Sequence, residues 1–346
     1  MKHLLRILLH FLESGSDGYF HYHTSNGLSL KSASVMSSAT KDLIYGSGSS
    51  GDLTFDGSGN ISGIATYASG TYTLSTNVSA LNATVSADIN INTNGYFFRV
   101  RDTLTLGANA HIHNDGTDAS TTSGLPTTTS SNTMFYGGGQ GAIPATGAGG
   151  STQNTQPISS AYKMGGNGGA SGGTTANPGA AGNSNSGTKG NVVVGNGETF
   201  FYLITSGQII YSVNGTDLDK IYGGLGGSRG AGDGSGTGGY RGGGGSGGGV
   251  CIVVAFKIIW GSGSKITANG GNGMDGILSG ISGETNDCRC GGGGGGGGVC
   301  IVVCNSKTGT ATVTANGGSG GLSVGTGAGR TDGSAGANGR AIEVVG

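Results

Sequence analysis

Gly291-Gly292-Gly293-Gly294-Gly295-Gly296-Gly297-Gly298-Val299-Cys300-Ile301-Val302-Val303 sets eight glycines directly against a continuous apolar run. A flexible linker needs no such tract beside a strand. Ordering glycine loses more backbone entropy than ordering any other residue. An ordered tract must therefore be offset by something only glycine permits, which is close approach of backbones. A chain without Cβ atoms can form an extended helix of three residues per turn and crowd beside its copies, as collagen glycines do. Buried donors in such an array need acceptors, and layered neighbours supply them. The competing reading makes these tracts solvated loops.

The same unit occurs upstream. Gly247-Gly248-Gly249 leads into Val250-Cys251-Ile252-Val253-Val254, then Lys265-Ile266-Thr267-Ala268-Asn269-Gly270-Gly271. The second copy continues to Thr312-Val313-Thr314-Ala315-Asn316-Gly317-Gly318, and a truncated third copy, Gly339-Arg340-Ala341-Ile342-Glu343-Val344-Val345, follows. Each unit reads as a glycine tract, an apolar strand, a turn, a second strand and another glycine tract.

Further out, residues 52–116 alternate apolar and polar in short blocks. These are 53–56, 71–74, 83–87, 89–92, 96–100, 103–106 and 110–113, punctuated by Asn-Gly, Asp-Gly and Gly-Asn. Such blocks predict half-buried strands. Their close spacing suits the rungs of a β-solenoid, with a β-sandwich as the alternative. Residues 191–222 return to a strand pattern, with Asn214-Gly215 as a hairpin turn. The expected divisions are 1–50 as an anchor or assembly segment, 51–116 as a β-structured unit, 117–190 as a Ser/Thr/Gly-rich low-complexity segment and 191–346 as a glycine-rich repeat unit.

Composition narrows the classes. Of 346 residues, 80 are glycine, well above the usual share of roughly 7%. Glycine is not at every third position and proline numbers only 4, which excludes collagen. The net charge of -1 leaves no footprint for nucleic acid or an anionic membrane. A helical bundle is excluded because each interior glycine costs about 1 kcal/mol relative to alanine. At the N-terminus, Leu4, Leu5, Leu8, Leu9 and Leu12 share a helical face. They predict a short amphipathic helix, with a degenerate signal sequence as the alternative. No apolar run is long enough for a membrane-spanning helix.

The C-terminal half, about 135–346, resembles the glycine-rich adhesins and tail-fibre tips of tailed bacteriophages. Gly291 to Gly298, Gly242 to Gly245, Gly247 to Gly249 and the two Ala-Asn-Gly-Gly units carry the resemblance. Residues 52–116 look like β-structured segments of phage fibre and spike proteins. The long apolar strands and the amphipathic N-terminus depart from the adhesin pattern. The resemblance implies an all-β fold with a β-solenoid or β-sandwich N-terminal half and a polyglycine II-like layered C-terminal part. It implies a non-catalytic fibre or spike of a virion, a homotrimer bound to other virion proteins and to a host surface glycan or protein. A cell-surface filament or surface-layer subunit is the alternative. A polysaccharide-cleaving spike is a third reading, without any paired acids that spacing identifies.

Candidate contact residues are the aromatics of glycine-supported loops and one arginine: Phe135, Tyr136, Tyr162, Tyr222, Tyr240 and Arg241. Tyrosine gives stiff contact area at low entropic cost. His111-Ile112-His113 and His21-Tyr22-His23 place paired imidazoles on one strand face. In a threefold fibre such pairs would ring the axis and suit a transition metal, as in some phage fibres; a polar strand face is the plainer reading. No other cofactor is expected. Of the 5 cysteines, Cys251 and Cys300 read as buried small hydrophobes, and Cys288 and Cys290 as a loop pair able to form a disulfide with a neighbour or with another chain.

Overall fold

The computed structural model describes residues 38–120, 141, 211–213, 216–218, 223–224, 226–227, 229–230, 241–278, 288–325 and 331–345. The described part is all-β apart from one helix, α1 (Ser38–Tyr45). The predicted N-terminal amphipathic segment lies outside it. No helix among the described residues is long and apolar enough to cross a membrane.

The alternating blocks become short strands: β1 (Leu53–Phe55), β2 (Ala65–Ala68), β3 (Thr71–Leu74), β4 (Val78–Ala80), β5 (Ala83–Val85), β6 (Asn90–Asn92), β7 (Phe97–Leu106) and β8 (His111–His113). β2 and β4 carried too little alternation to be expected. The two strands expected at 96–100 and 103–106 are the two arms of β7. β4 pairs with the first arm and β5 with the second, both parallel. A hairpin follows, β9 (Tyr211–Val213) against β10 (Thr216–Leu218), with Asn214-Gly215 between them as expected.

The repeat strands extend these sheets. They are β11 (Val250–Trp260), β12 (Lys265–Thr267), β14 (Val299–Thr308), β15 (Val313–Thr314) and β17 (Arg340–Val345). A two-residue strand, β13 (Cys288–Arg289), precedes β14 and pairs with β16 (Val324–Gly325). One sheet runs β1-β5-β7-β11-β14-β17, all parallel, and the other β15-β12-β8-β6-β3-β2, parallel except for the β2–β3 hairpin. The repeat copies lie side by side with Cys251 opposite Cys300 and Cys300 opposite Ala341. The long strands β7, β11 and β14 of the first sheet are each followed by a short strand of the second, β8, β12 and β15.

Inward residues of both sheets form one buried cluster, including Phe55, Tyr72, Ile91, Phe98, Leu104, Ile112, Val253, Ile266 and Val302. Val250, Ile252, Val254, Val299 and Ile301 on the outer face are buried as well, in a second cluster with Ile44 and Tyr45 of α1. Burial on both faces explains why 250–254 and 299–303 are apolar at every position. α1 is clamped there by Lys41–Asp102 at 2.8 Å, Arg101–Asp42 and a Tyr45–Phe256 edge contact at 5.4 Å.

The passes differ at one corner. After β6 the chain turns straight into β7 through Asn94 and Gly95, both at positive φ (49° and 79°), a pairing that tight turns favour. Thr93, Asn114, Ala268 and Ala315 follow the short strands and are buried. From the last three the chain leaves on glycine-rich excursions before returning to β11, β14 and β17.

The described tracts of these excursions are bonded to one another through their backbones. Gly292, Gly295 and Gly298 donate to the carbonyls of Met274, Gly271 and Ala268. Gly294 and Gly297 donate to Ser334 and Ala337. Gly242, Gly245 and Gly248 donate to Cys290, Gly293 and Gly296, and Gly318 and Gly321 to Gly295 and Gly292. Bonds to any one neighbour recur at every third residue, so successive residues of a turn point at different neighbours. Outgoing tracts 114–119, 268–276 and 315–322 are mutually parallel; returning tracts 241–249, 290–298 and 332–339 run against them.

Glycine content follows enclosure. Tract 290–298 is buried throughout and surrounded. A Cβ on Gly291, Gly292, Gly294, Gly295, Gly297 or Gly298 would meet another backbone closer than 3.0 Å. Tract 332–339 lies at the margin and keeps glycine only at 333, 336 and 339, with Ser334, Ala335 and Asn338 exposed. At open faces side chains replace the missing neighbour. Asn269 Oδ1 accepts the Asn316 N–H at 2.7 Å, Asn272 Oδ1 the Ser319 N–H at 2.9 Å and Asp275 Oδ1 the Leu322 N–H at 2.6 Å. In the first Ala-Asn-Gly-Gly unit, Ala268 is buried, Asn269 is an outward acceptor and Gly270 and Gly271 turn to neighbouring backbones.

Candidate metal centre

β8 places His111 and His113 on one face, and Asp115 continues the same alternation beyond the strand end. Parallel β12 sets Lys265 opposite His111 and Thr267 opposite His113; β6 flanks them with Asn90 and Asn92. Ile112 between them points into the core, where it is fully buried. That anchor fixes the direction of both imidazoles.

Thr267 Oγ1 is the hub. It donates to the Asp115 carboxylate at 2.7 and 2.8 Å and lies 2.7 Å from His111 Nε2. With the hydroxyl proton given to Asp115, His111 Nε2–H donates to the hydroxyl oxygen. The Asn269 N–H donates to Asp115 Oδ1 at 2.6 Å. His113 Nδ1 accepts the Asp115 N–H at 3.4 Å. Asp115 Oδ2 is 3.5 Å from His111 Nε2 and 3.9 Å from His113 Nδ1, and the two rings stack at 4.5 Å. The three ligand atoms lie within 4.8 Å of one another.

Burial, then the neighbouring His113 and Lys265, push the His111 pKa down to about 3. Burial lowers His113 also, opposed by the Asp115 charge. Both rings are neutral at neutral pH. For His111 the folded pKa lies below the unfolded value of 6.5. The associated stability is complete above pH 6.5 and drains as pH falls toward 3. Metal-free protein is expected to lose on the order of 1–2 kcal/mol between pH 6.5 and 5, above the usual carboxylate range. Denaturant unfolding at a series of pH values measures this, and His111→Asn should flatten the slope. An unchanged slope in the variant would show that His111 does not set it.

The paired imidazoles face Asp115 and Thr267 of their own chain. Asp115 was legible as the next alternating position. Thr267 was not singled out, although Asn90-Ile91-Asn92, His111-Ile112-His113, Lys265-Ile266-Thr267 and Thr312-Val313-Thr314 share one polar–apolar–polar pattern. His21 and His23 lie outside the described residues.

Of the expected contact residues, Phe135, Tyr136, Tyr162, Tyr222 and Tyr240 lie outside the described residues. Arg241 is a correction: it is 5% exposed, not presented to solvent. It opens tract 241–249 and is flanked by neighbouring tracts, near Arg229 and Arg289, whose charges add to burial in lowering its pKa. Cys290 is fully buried at the start of the central tract. Cys288 lies on β13, its side chain outside the described part. Cys251 and Cys300 are buried, as expected of small hydrophobes. No family model matches this chain, and no curated protein or solved structure is detectably similar to it.

Proposed function

We propose that the chain is a non-catalytic structural component of a virion fibre or spike that attaches to a host surface. In this reading the two parallel sheets form a β-solenoid, and the excursions form a polyglycine II-type slab projecting from one corner of it. One observation supports it most: tract 290–298 is enclosed by hydrogen-bonded backbones, so the slab is stiff without a side-chain core. Outgoing tracts end near Asp118, Gly230, Gly276 and Leu322, and returning tracts begin near Arg241, Cys290 and Asp332. Side-chain and backbone bonds link these ends, including Asp118–Asn272 at 2.6 Å, Gly230–Gly242 at 2.8 Å and Asp332–Ser323 at 2.7 Å. These bonds tie the described tracts to one another at the end away from the two main sheets. A stiff support of this kind suits recognition of a glycan or protein, with homotrimerisation and other virion proteins holding the remainder.

A self-assembling cell-surface filament is the second reading. β17 favours it, because its outer side carries no paired strand among the described residues and Val344 and Val345 are 38% and 43% exposed. Electron microscopy of the purified chain separates the two. Attachment predicts closed trimers, immunogold label at particle tips and reduced adsorption of particles to cells pre-incubated with the chain. Open helical polymers without particle label would overturn it, since a heterologous, non-closing interface builds filaments.

A further inference from the structure

We propose that His111 Nε2, His113 Nδ1 and one Asp115 carboxylate oxygen form an intrachain site for a divalent transition cation of the zinc class. The donor set is two imidazole nitrogens and one carboxylate oxygen, which suits zinc rather than calcium or magnesium. Metal–ligand bonds of about 2.0 Å put tetrahedral ligands roughly 3.3 Å apart. Asp115 Oδ2 is 3.5 and 3.9 Å from the two ring nitrogens and the three ligand atoms lie within 4.8 Å of one another, so closure on a cation draws the widest pair together by up to roughly 1.5 Å.

Protonation also fits. Burial keeps both rings neutral, so each has a lone pair to give. His113 Nδ1 already accepts a weak hydrogen bond and carries no proton there. His111 needs only the other tautomer, moving its proton from Nε2 to Nδ1, with no net proton released. The displaced Thr267 hydroxyl keeps its bonds to Asp115 and stands beside the fourth position. Lys265 opposes the cation and the Asp115 charge favours it. Asn90 and Asn92 on β6 are neutral. The bound ion would join the end of β8 to the start of tract 114–119 and, through Thr267 and Asn269, to β12 and tract 268–276. Its role is therefore a clamp at the root of the glycine array, independent of the attachment reading.

The full chain, stripped with a chelator, is titrated with zinc alone. The site predicts about one equivalent per chain and a midpoint rise of several degrees. Cobalt in its place should give the absorption bands of a four-coordinate nitrogen–oxygen site. His111→Asn with His113→Asn copies residues that β6 already holds at the paired positions. The double variant should lose at least about 100-fold in zinc affinity while its chelator-treated midpoint stays near the parent value. Should it fail to fold, Asp115→Asn keeps an oxygen for the Asn269 N–H and should abolish the cobalt bands. Substoichiometric zinc binding by the parent, or retained binding or bands in these variants, would overturn the site.

Discussion

Gly295→Ala is expected to collapse the glycine array. Gly295 uses every direction open to it. Its N–H donates to Gly271 at 2.8 Å, its carbonyl accepts from Gly318 at 2.8 Å, and its Cα faces Ser246. A Cβ there would stand within 3.0 Å of the Ser246 carbonyl and the Gly247 nitrogen. Both are backbone, so no flexible side chain can yield. Moving tract 241–249 aside would break its bonds to Gly224, Gly227, Cys290 and Gly293 and to Thr117. The penalty should exceed the ordinary overpacking range of about 1–3 kcal/mol, an outcome reserved for few single substitutions. Ala335→Ser, on the exposed face of the marginal tract, should stay within about 0.5 kcal/mol. Thermal unfolding followed by circular dichroism measures both. A Gly295→Ala midpoint equal to that of Ala335→Ser would show that the tracts do not pack as described.

Phe98→Ala should cost about 3–5 kcal/mol. Phe98 is fully buried and its ring centroid is 5.8 Å from that of Phe55. In the ladder it stands between Val78 and Val253, with Val302 beyond. Apolar side chains on all sides belong to regular strands, which leave the cavity little room to close. The glycine array is covalently continuous with β8, β11, β12, β14, β15 and β17, and Asn114 Nδ2 donates to the Val250 carbonyl across the junction. Phe98→Ala and Gly295→Ala should therefore both lower the midpoint of one cooperative transition in urea. Two separate transitions, each moved by only one of the substitutions, would show that sheets and array fold independently.

The strands were legible where one face is buried and the other is not, because alternation then records the pleat. Legibility failed at Ala65–Ala68 and Val78–Ala80, where strands of three or four residues are held by partners rather than by pattern. It failed also at Ser38–Tyr45, whose helix is fixed by docking on the outer face of β7 and β11. At the candidate metal centre, His111 and His113 announced themselves by spacing, and Asp115 extends that spacing. Thr267 joins them only through a parallel pairing that spans more than a third of the chain. Arg241 was misread because a charged residue beside aromatics suggests an exposed loop; the neighbouring tracts enclose it.

The sequence by itself determined that this chain is built from strands, and it left close packing and solvated loops as the two readings of its glycine tracts. Entropy forbids ordering eight glycines unless backbones meet, and unbroken apolar runs require cover on both faces. Only the tertiary structure decided which tracts meet, and so which glycines admit no side chain. Each tract makes its contacts at every third residue with segments far away in the chain. The number of neighbours it finds there, rather than anything local, separates the all-glycine centre from the margin where serine, alanine and asparagine are allowed.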